Sequence, residues 1–249
     1  MVDELLSLRV VVASSSKDDR DLLQHAAAAS KVPIEVVELE GASAAGGSRG
    51  GLDLVFLDST LTSDEVALIV AAVRAVPKPP FTVLLAGPGA AAPFATDALA
   101  VKPTNLEEAK RLLEAVSRVR LKSRVLVVDD SPTMRSIVRK TLAATRFPLE
   151  VTEVSQGVEA IELARTAAFD IVFVDYNMPD FSGLETISEF RREKRQVTFV
   201  LITSTRDTAL AERARAQGAA FLQKPFFPAD IENVLCGFYG LRALSPKPA

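Results

Sequence analysis

Apolar and polar positions along this chain fall into two alternating patterns, and the alternation runs through twice. Short runs rich in β-branched and aromatic residues, with little polar interruption, read as strands buried on both faces. In the first half these are Leu8–Val12, Ile34–Leu39, Leu54–Leu57, Phe81–Leu85 and Ala98–Val101. In the second half they are Val125–Val128, Glu150–Val154, Ile171–Val174, Val197–Ile202 and Ala220–Leu222. Between them lie helical stretches, several with a clear apolar stripe at helical spacing: Asp18–Ala29, Ser63–Ala75 and Asn105–Arg120, then Ser131–Ala144, Val158–Thr166, Leu184–Arg192, Thr208–Gln217 and Ala229–Gly240. Asn105 with Glu107 and Glu108, and Ser131 with Pro132, are helix-start signals. Strands alternating with helices predict doubly wound parallel sheets of the α/β class.

The two halves are copies. Asp53–Asp58 (DLVFLD) and Asp170–Asp175 (DIVFVD) match at four of six positions, and a Lys-Pro pair follows each, at Lys102-Pro103 and Lys224-Pro225. Two related domains are expected, at residues 1–121 and 122–243, with no Gly/Ser-rich linker between them. The first copy is the poorer one. GASAAGGSRGG (41–51) stands where the second half has the helix Val158–Thr166, and PGAAAPFATD (88–97) is shorter than its counterpart 204–220. One or two helices are therefore expected to be missing. That would bare one apolar sheet face, to be covered by a partner, a second copy or the other domain.

Parallel strands bring their carboxyl ends to one rim, where chemistry collects. In the second half Asp129 and Asp130 end the first strand, Asp175 the third and Thr203 the fourth, and Lys224 follows the fifth. Three carboxylates at one rim repel and call for a cation; oxygen donors without His or Cys suit Mg²⁺. A hydroxyl and an ammonium facing them suit a transferred phosphoryl group, with Asp175 as nucleophile. In the first half, aligning Val12 with Val128 puts Ala13 and Ser14 at the places of Asp129 and Asp130, Ala86 at that of Thr203 and Thr60 at that of Asn177. Asp58 and Lys102 remain, and an ion pair between them is the simplest expectation.

The segments VLVVDDSPTMRSIVR, DYNMPDFSG, LITST and FLQKPF resemble the receiver domains of two-component response regulators, DDSPTMR and DYNMP most of all the single-domain chemotaxis regulator. The resemblance spans Arg124 to about Leu241. It implies two flavodoxin-like, five-stranded domains of strand order 2-1-3-4-5, a true receiver preceded by a degenerate pseudo-receiver. It further implies that Asp175 accepts phosphate from a sensor histidine kinase. Mg²⁺ would be held by Asp130, Asp175 and the backbone carbonyl of Asn177, with Asp129 acting through water. Thr203 and Lys224 would bind the phosphoryl group, Phe221 would be the aromatic switch, and the Lys224–Pro225 bond would be cis.

Composition narrows the function classes. The 249 residues are 48% hydrophobic and 24% charged, with a net charge of −3. This gives no ground for nucleic-acid binding. No apolar run is long enough to span a membrane, the N-terminus lacks a secretory signal, and Cys236 is the one cysteine, so a cytoplasmic protein is expected. His25 in an alanine run reads as a surface or half-buried residue, and the Arg191–Arg195 cluster, with Glu189 and Glu193 interleaved, as a solvated helix end. The expectation is a response regulator that is not an enzyme beyond self-dephosphorylation. It lacks an output domain and signals to a downstream protein by contact, in a chemotaxis-like pathway. The alternatives are a non-phosphorylated adaptor or dimerisation protein, and an aspartyl-phosphate phosphatase. The last commonly needs a second acid two residues past the nucleophile, where this chain has Asn177.

Overall fold

The computed structural model describes residues 7–37, 51–87, 96–192 and 197–243. The chain divides into two compact units: one holds Met1–Arg120 together with Tyr239 onward, the other Leu121–Phe238. The second unit thus ends five residues short of the expected 243. Leu99 and Arg242 exchange both backbone hydrogen bonds at 2.8 Å in an antiparallel bridge, which ties the segment after residue 238 to the first unit.

The first unit contains strands β1 (Leu8–Ala13), β2 (Ile34–Val37), β3 (Leu54–Asp58), β4 (Phe81–Ala86) and β5 (Ala98–Val101), with helices α1 (Lys17–Ala28), α2 (Ser63–Arg74) and α3 (Leu106–Ser117). All strands are parallel in the order β2-β1-β3-β4-β5. The second unit contains β6 (Ser123–Val128), β7 (Leu149–Val154), β8 (Ile171–Asp175), β9 (Thr198–Thr203) and β10 (Ala219–Gln223), with α4 (Pro132–Ala143), α5 (Gly157–Thr166), α6 (Gly183–Arg192), α7 (Thr208–Ala216) and α8 (Pro228–Phe238). Its order, β7-β6-β8-β9-β10, is the same plan. In both units β1 or β6 is where the order reverses, and there the strand ends open a crevice.

Among the described residues the first unit has three α-helices against five in the second. The segments on which the missing helices were argued, residues 41–50 and 88–95, lie outside the described residues, as do the end of the Ile34–Leu39 strand, residues 193–196 of the basic cluster and the tail from 244. Among the described residues, the side chains of the expected bare face are not exposed. Val11, Val55, Leu57, Leu84, Ala86 and Leu99 are buried, and Val66, Val70 and Val73 of α2 pack against them in one cluster. No helix among the described residues is long and apolar enough to cross a membrane.

Local sequence explains why these elements start where they do. Ser16, Asn105 and Ser131 each accept a hydrogen bond from the backbone N–H three residues on, and Pro132 fills the first turn of α4. Thr62 with Glu65, and Ser182 with Glu185, form reciprocal capping boxes for α2 and α6.

Gly183 has a second constraint. A Cβ there would lie 2.6 Å from the backbone oxygen of Asp175 and 2.6 Å from Leu201, so α6 must begin with glycine to fold back onto the end of β8. Gly183→Ala is expected to lower stability by about 1–3 kcal/mol through overpacking, despite alanine's better helix propensity. Urea denaturation of the two proteins checks this.

Candidate functional site

The site of the second unit is built from strand ends. Asp175 is the last residue of β8 and is paired in register with Ile202 of β9. Asp129 follows β6, whose last residue Val128 is paired with Val174, so the two acids emerge side by side. Lys224 follows β10, and its N–H donates to the Thr203 carbonyl at 2.7 Å, which fixes its backbone at the same rim. Its ammonium donates to Asp175 Oδ1 at 2.6 Å and to Asp129 Oδ2 at 3.1 Å. Both carboxylates are almost wholly buried. Their remaining oxygens accept backbone N–H groups, from Asn177 at 2.9 Å and from Ser131 at 2.9 Å. The Lys224–Pro225 bond is cis.

Burial pushes the Asp175 carboxyl above the usual aspartate range. Lys224 and the Asn177 N–H pull it back and the neighbouring Asp129 pushes it further up, with burial prevailing. Burial works against the Lys224 ammonium, but Asp175 and Asp129 together outweigh it and hold the lysine above its ordinary range.

The remaining expected residues stand around this core. Thr203 is completely buried, its Oγ1 accepting from the Thr205 N–H at 3.0 Å. Phe221, part-buried in β10, packs against the same hydrophobic cluster as Tyr176 and Met178. Asp130 differs from expectation: it is exposed, and among the described residues no group of three His, Cys, Asp or Glu stands close enough to share an ion. Two carboxylates, not three, converge on the ammonium, since a third would add repulsion that one lysine cannot offset. The donors are nonetheless all oxygen. Two converging buried carboxylates, the exposed Asp130 beside one and the Asn177 backbone beside the other fit a hard divalent cation such as Mg²⁺.

Sequence reasoning missed Arg135, which donates to the carbonyls of Asp129 at 2.6 Å and Asp130 at 3.3 Å and so holds the acid loop. It also missed Asp180, whose carboxylate accepts from the N–H of Val158 at 2.8 Å. The signal for Arg135 was its position one helical turn past the acid pair. Asp180 had none, because its partner lies in another helix.

The first unit carries the same frame with other side chains. Arg20 bonds the carbonyl of Ser14 as Arg135 bonds that of Asp129. Ser14 Oγ accepts from Ser16 N as Asp129 accepts from Ser131 N. In register, Ala13 pairs with Leu57, the residue before Asp58, as Val128 pairs with Val174. The correct equivalence is therefore Ala13 with Val128. Ser14 and Ser15, not Ala13 and Ser14, stand at the places of Asp129 and Asp130. Thr60 does stand at the place of Asn177, its N–H on Asp58 Oδ1 at 2.9 Å. Ala86 stands at the place of Thr203, its carbonyl accepting from Lys102 N at 3.0 Å. The expected ion pair is present: Lys102 Nζ lies 2.9 Å from Asp58 Oδ2, and Ser14 Oγ donates to the same oxygen at 3.2 Å. A second acid, Asp19 of α1, takes the other side of Lys102 at 2.6 Å. That bond holds the Asp19 carboxyl below the usual range.

The raised Asp175 carboxyl has a measurable consequence. The folded state holds that proton more tightly than the unfolded chain, so this contribution to stability is fully present below the ordinary aspartate value of about 3.9 and lost as pH rises through the raised one. Asp175→Asn removes that loss. In divalent-free buffer its urea midpoint is expected to gain on wild type as pH rises from about 4 towards 7. A gap that does not change with pH would contradict the assignment.

Comparison with known proteins bears on the second unit. The response regulator receiver domain family matches residues 125–235. A chemotaxis protein CheY homolog of Campylobacter jejuni is 34% identical over 116 residues, covering 45% of this chain and 88% of that protein. Chemotaxis protein CheY1 of Helicobacter pylori is 34% identical over 116 residues, 45% of this chain and 93% of that protein. A solved structure described as a probable two-component system response regulator/GGDEF domain protein covers 93% of this chain and 98% of its own, with a TM-score of 0.57 and 23% identity. It is a likeness of fold, and it extends over both units. Through its second unit, the chain belongs to the response regulator receiver family.

Proposed function

We propose that the second unit is the phosphoacceptor of a two-component signalling protein and that the first is a pseudo-receiver that takes no phosphoryl group. The observation that carries this reading is Lys224 held between Asp129 and Asp175 at the crevice of a parallel sheet. A carboxylate oxygen of Asp175 attacks phosphorus in a phosphohistidine of a sensor kinase. The P–N bond breaks, and its electron pair leaves with the imidazole. Lys224 exchanges a carboxylate for a phosphoryl oxygen, the Thr203 hydroxyl turns to donate to another, and Phe221 follows the space that Thr203 leaves. Mg²⁺ would be held by Asp130, Asp175 and the Asn177 carbonyl, with Asp129 through water, and would neutralise the negative charge that gathers on the phosphoryl oxygens. The product is a stoichiometric phosphoprotein rather than an enzyme in turnover, apart from slow loss of its own phosphoryl group. The added charge of about −1.5 to −2 reshapes the surface around β10, α7 and α8, through which a downstream protein is contacted.

Support for the pseudo-receiver comes from its charge balance. Asp58 is already bonded by Lys102, Ser14 and the Thr60 N–H, with serines at the places of the acid pair. Labelling by acetyl phosphate tests both halves of the reading. Wild type and Asp58→Asn are expected to be labelled equally and only with Mg²⁺, and Asp175→Asn to lose at least nine-tenths of the label (roughly tenfold, about 1.4 kcal/mol). Full labelling of Asp175→Asn would overturn the assignment, and turnover of phosphate monoesters would favour a phosphatase.

A further inference from the structure

The loop between β8 and α6 carries Asn177, and it is pinned at two points. One is the strand end, where Gly183 N–H bonds the Tyr176 carbonyl at 3.0 Å and leaves no space for a side chain. The other lies in a different helix. Gln156, at the N-cap of α5, makes no side-chain capping bond, and the exposed first turn is capped from 22 residues further on, by Asp180 on the N–H of Val158. Burial works against ionisation of Asp180, but the N–H groups of Val158, Phe181 and Gly157 together hold its carboxyl below the usual range. Packing at this junction is close: a Cβ on Gly157 would lie 2.7 Å from Thr186 Oγ1 and 2.9 Å from Phe181 Cβ. Among the described residues the first unit shows no such tie. Its loop after β3 runs only from Ser59 to Thr62 and contains no carboxylate.

We propose that Asp180 is a positioning residue for the phosphoacceptor site: by capping α5 from the loop, it fixes the Asn177 backbone beside Asp175 and so sets the affinity for Mg²⁺. The proposal rests on the reading of the site given above. Groups that orient a metal ligand from outside the coordination sphere typically change affinity by about 10–100-fold when removed. Here the ligand is a loop carbonyl, and the anchor is three residues away. Asn177 also donates its N–H to Asp175 Oδ2, so a shift of this loop moves a hydrogen bond to the nucleophile as well.

The test separates loop positioning from helix capping. Mg²⁺ is titrated calorimetrically into wild type, Asp180→Ala, Asp180→Asn and the double variant Gln156→Ser with Asp180→Ala. Asp180→Ala is expected to bind Mg²⁺ about tenfold or more weakly and to exchange the Asn177 amide faster without metal. Its acetyl phosphate labelling should need more Mg²⁺ to reach half its maximum. Asp180→Asn, which keeps an acceptor oxygen, is expected to recover most of the affinity. The double variant gives α5 a local cap; it is expected to regain the urea midpoint but not the affinity. Wild-type affinity in Asp180→Ala, or affinity restored by the local cap, would overturn the proposal and leave the site intact. A wild-type protein that bound no Mg²⁺ would overturn the reading of the site, and this proposal with it.

Discussion

The second unit depends on one electrostatic arrangement: two buried carboxylates held against one ammonium at the open end of a sheet. Burying a carboxylate without a partner costs several kcal/mol, so Asp129 and Asp175 can occupy their places only if Lys224 reaches both. That requirement sets the architecture. The order reversal at β6 separates the strand ends enough for side chains to meet. The backbone bond from Lys224 to Thr203 brings the lysine to the rim from two strands away. Backbone N–H groups of Asn177 and Ser131 take up the oxygens that the ammonium leaves. The compensation is partial. Asp175 remains a stronger base than an ordinary aspartate, and Lys224 a weaker acid than an ordinary lysine.

The first unit keeps the frame of the second with other side chains. Its frame is kept down to individual bonds: the arginine on the carbonyl after β1, the N–H two residues past the acid, the lysine N–H on the carbonyl ending β4. These bonds satisfy buried backbone groups and serve the fold whether or not phosphate is bound. The side chains that served charge have changed. A serine hydroxyl stands where Asp129 would be, and the second carboxylate on the lysine now comes from Asp19 on the following helix.

Much of this was legible in the sequence, for physical reasons. Double-sided burial makes parallel strands nearly continuous apolar runs, and a carboxylate closing such a run marks the rim, so Asp175, Lys224 and the strand plan could be read directly. The register at the end of β1 could not. Val10, Val11, Val12 and Ala13 are interchangeable as strand residues, and three serines follow, so nothing local marks which residue is last. Only the pairing of Ala13 with Leu57 fixes it. Asp19 lies in the first turn of α1, where an acid is ordinary, so nothing marks it as a partner of Lys102. Asp180 could not be singled out, because a cap supplied from 22 residues away leaves no local pattern. The burial of the α2-side sheet face was equally unreadable, since periodicity shows which residues want cover and not what provides it.

The two rims also differ in what they still lack. In the first, two carboxylates share one lysine, and Asp58 has a further hydroxyl and N–H on it; Asp18 beside them is exposed to water. In the second, Lys224 lies between Asp129 and Asp175, and the exposed Asp130 adds a further carboxylate next in sequence to the buried pair. A divalent cation would cancel that excess of negative charge, so that an incoming phosphoryl group is no longer repelled by it. With serines at the places of Asp129 and Asp130, the first rim has fewer charged oxygen donors to offer a cation, and its second acid, Asp19, is taken up by Lys102. On the reading proposed above, loss of the acid pair is what leaves the first unit without a phosphoryl group, even with Asp58 and Lys102 in place.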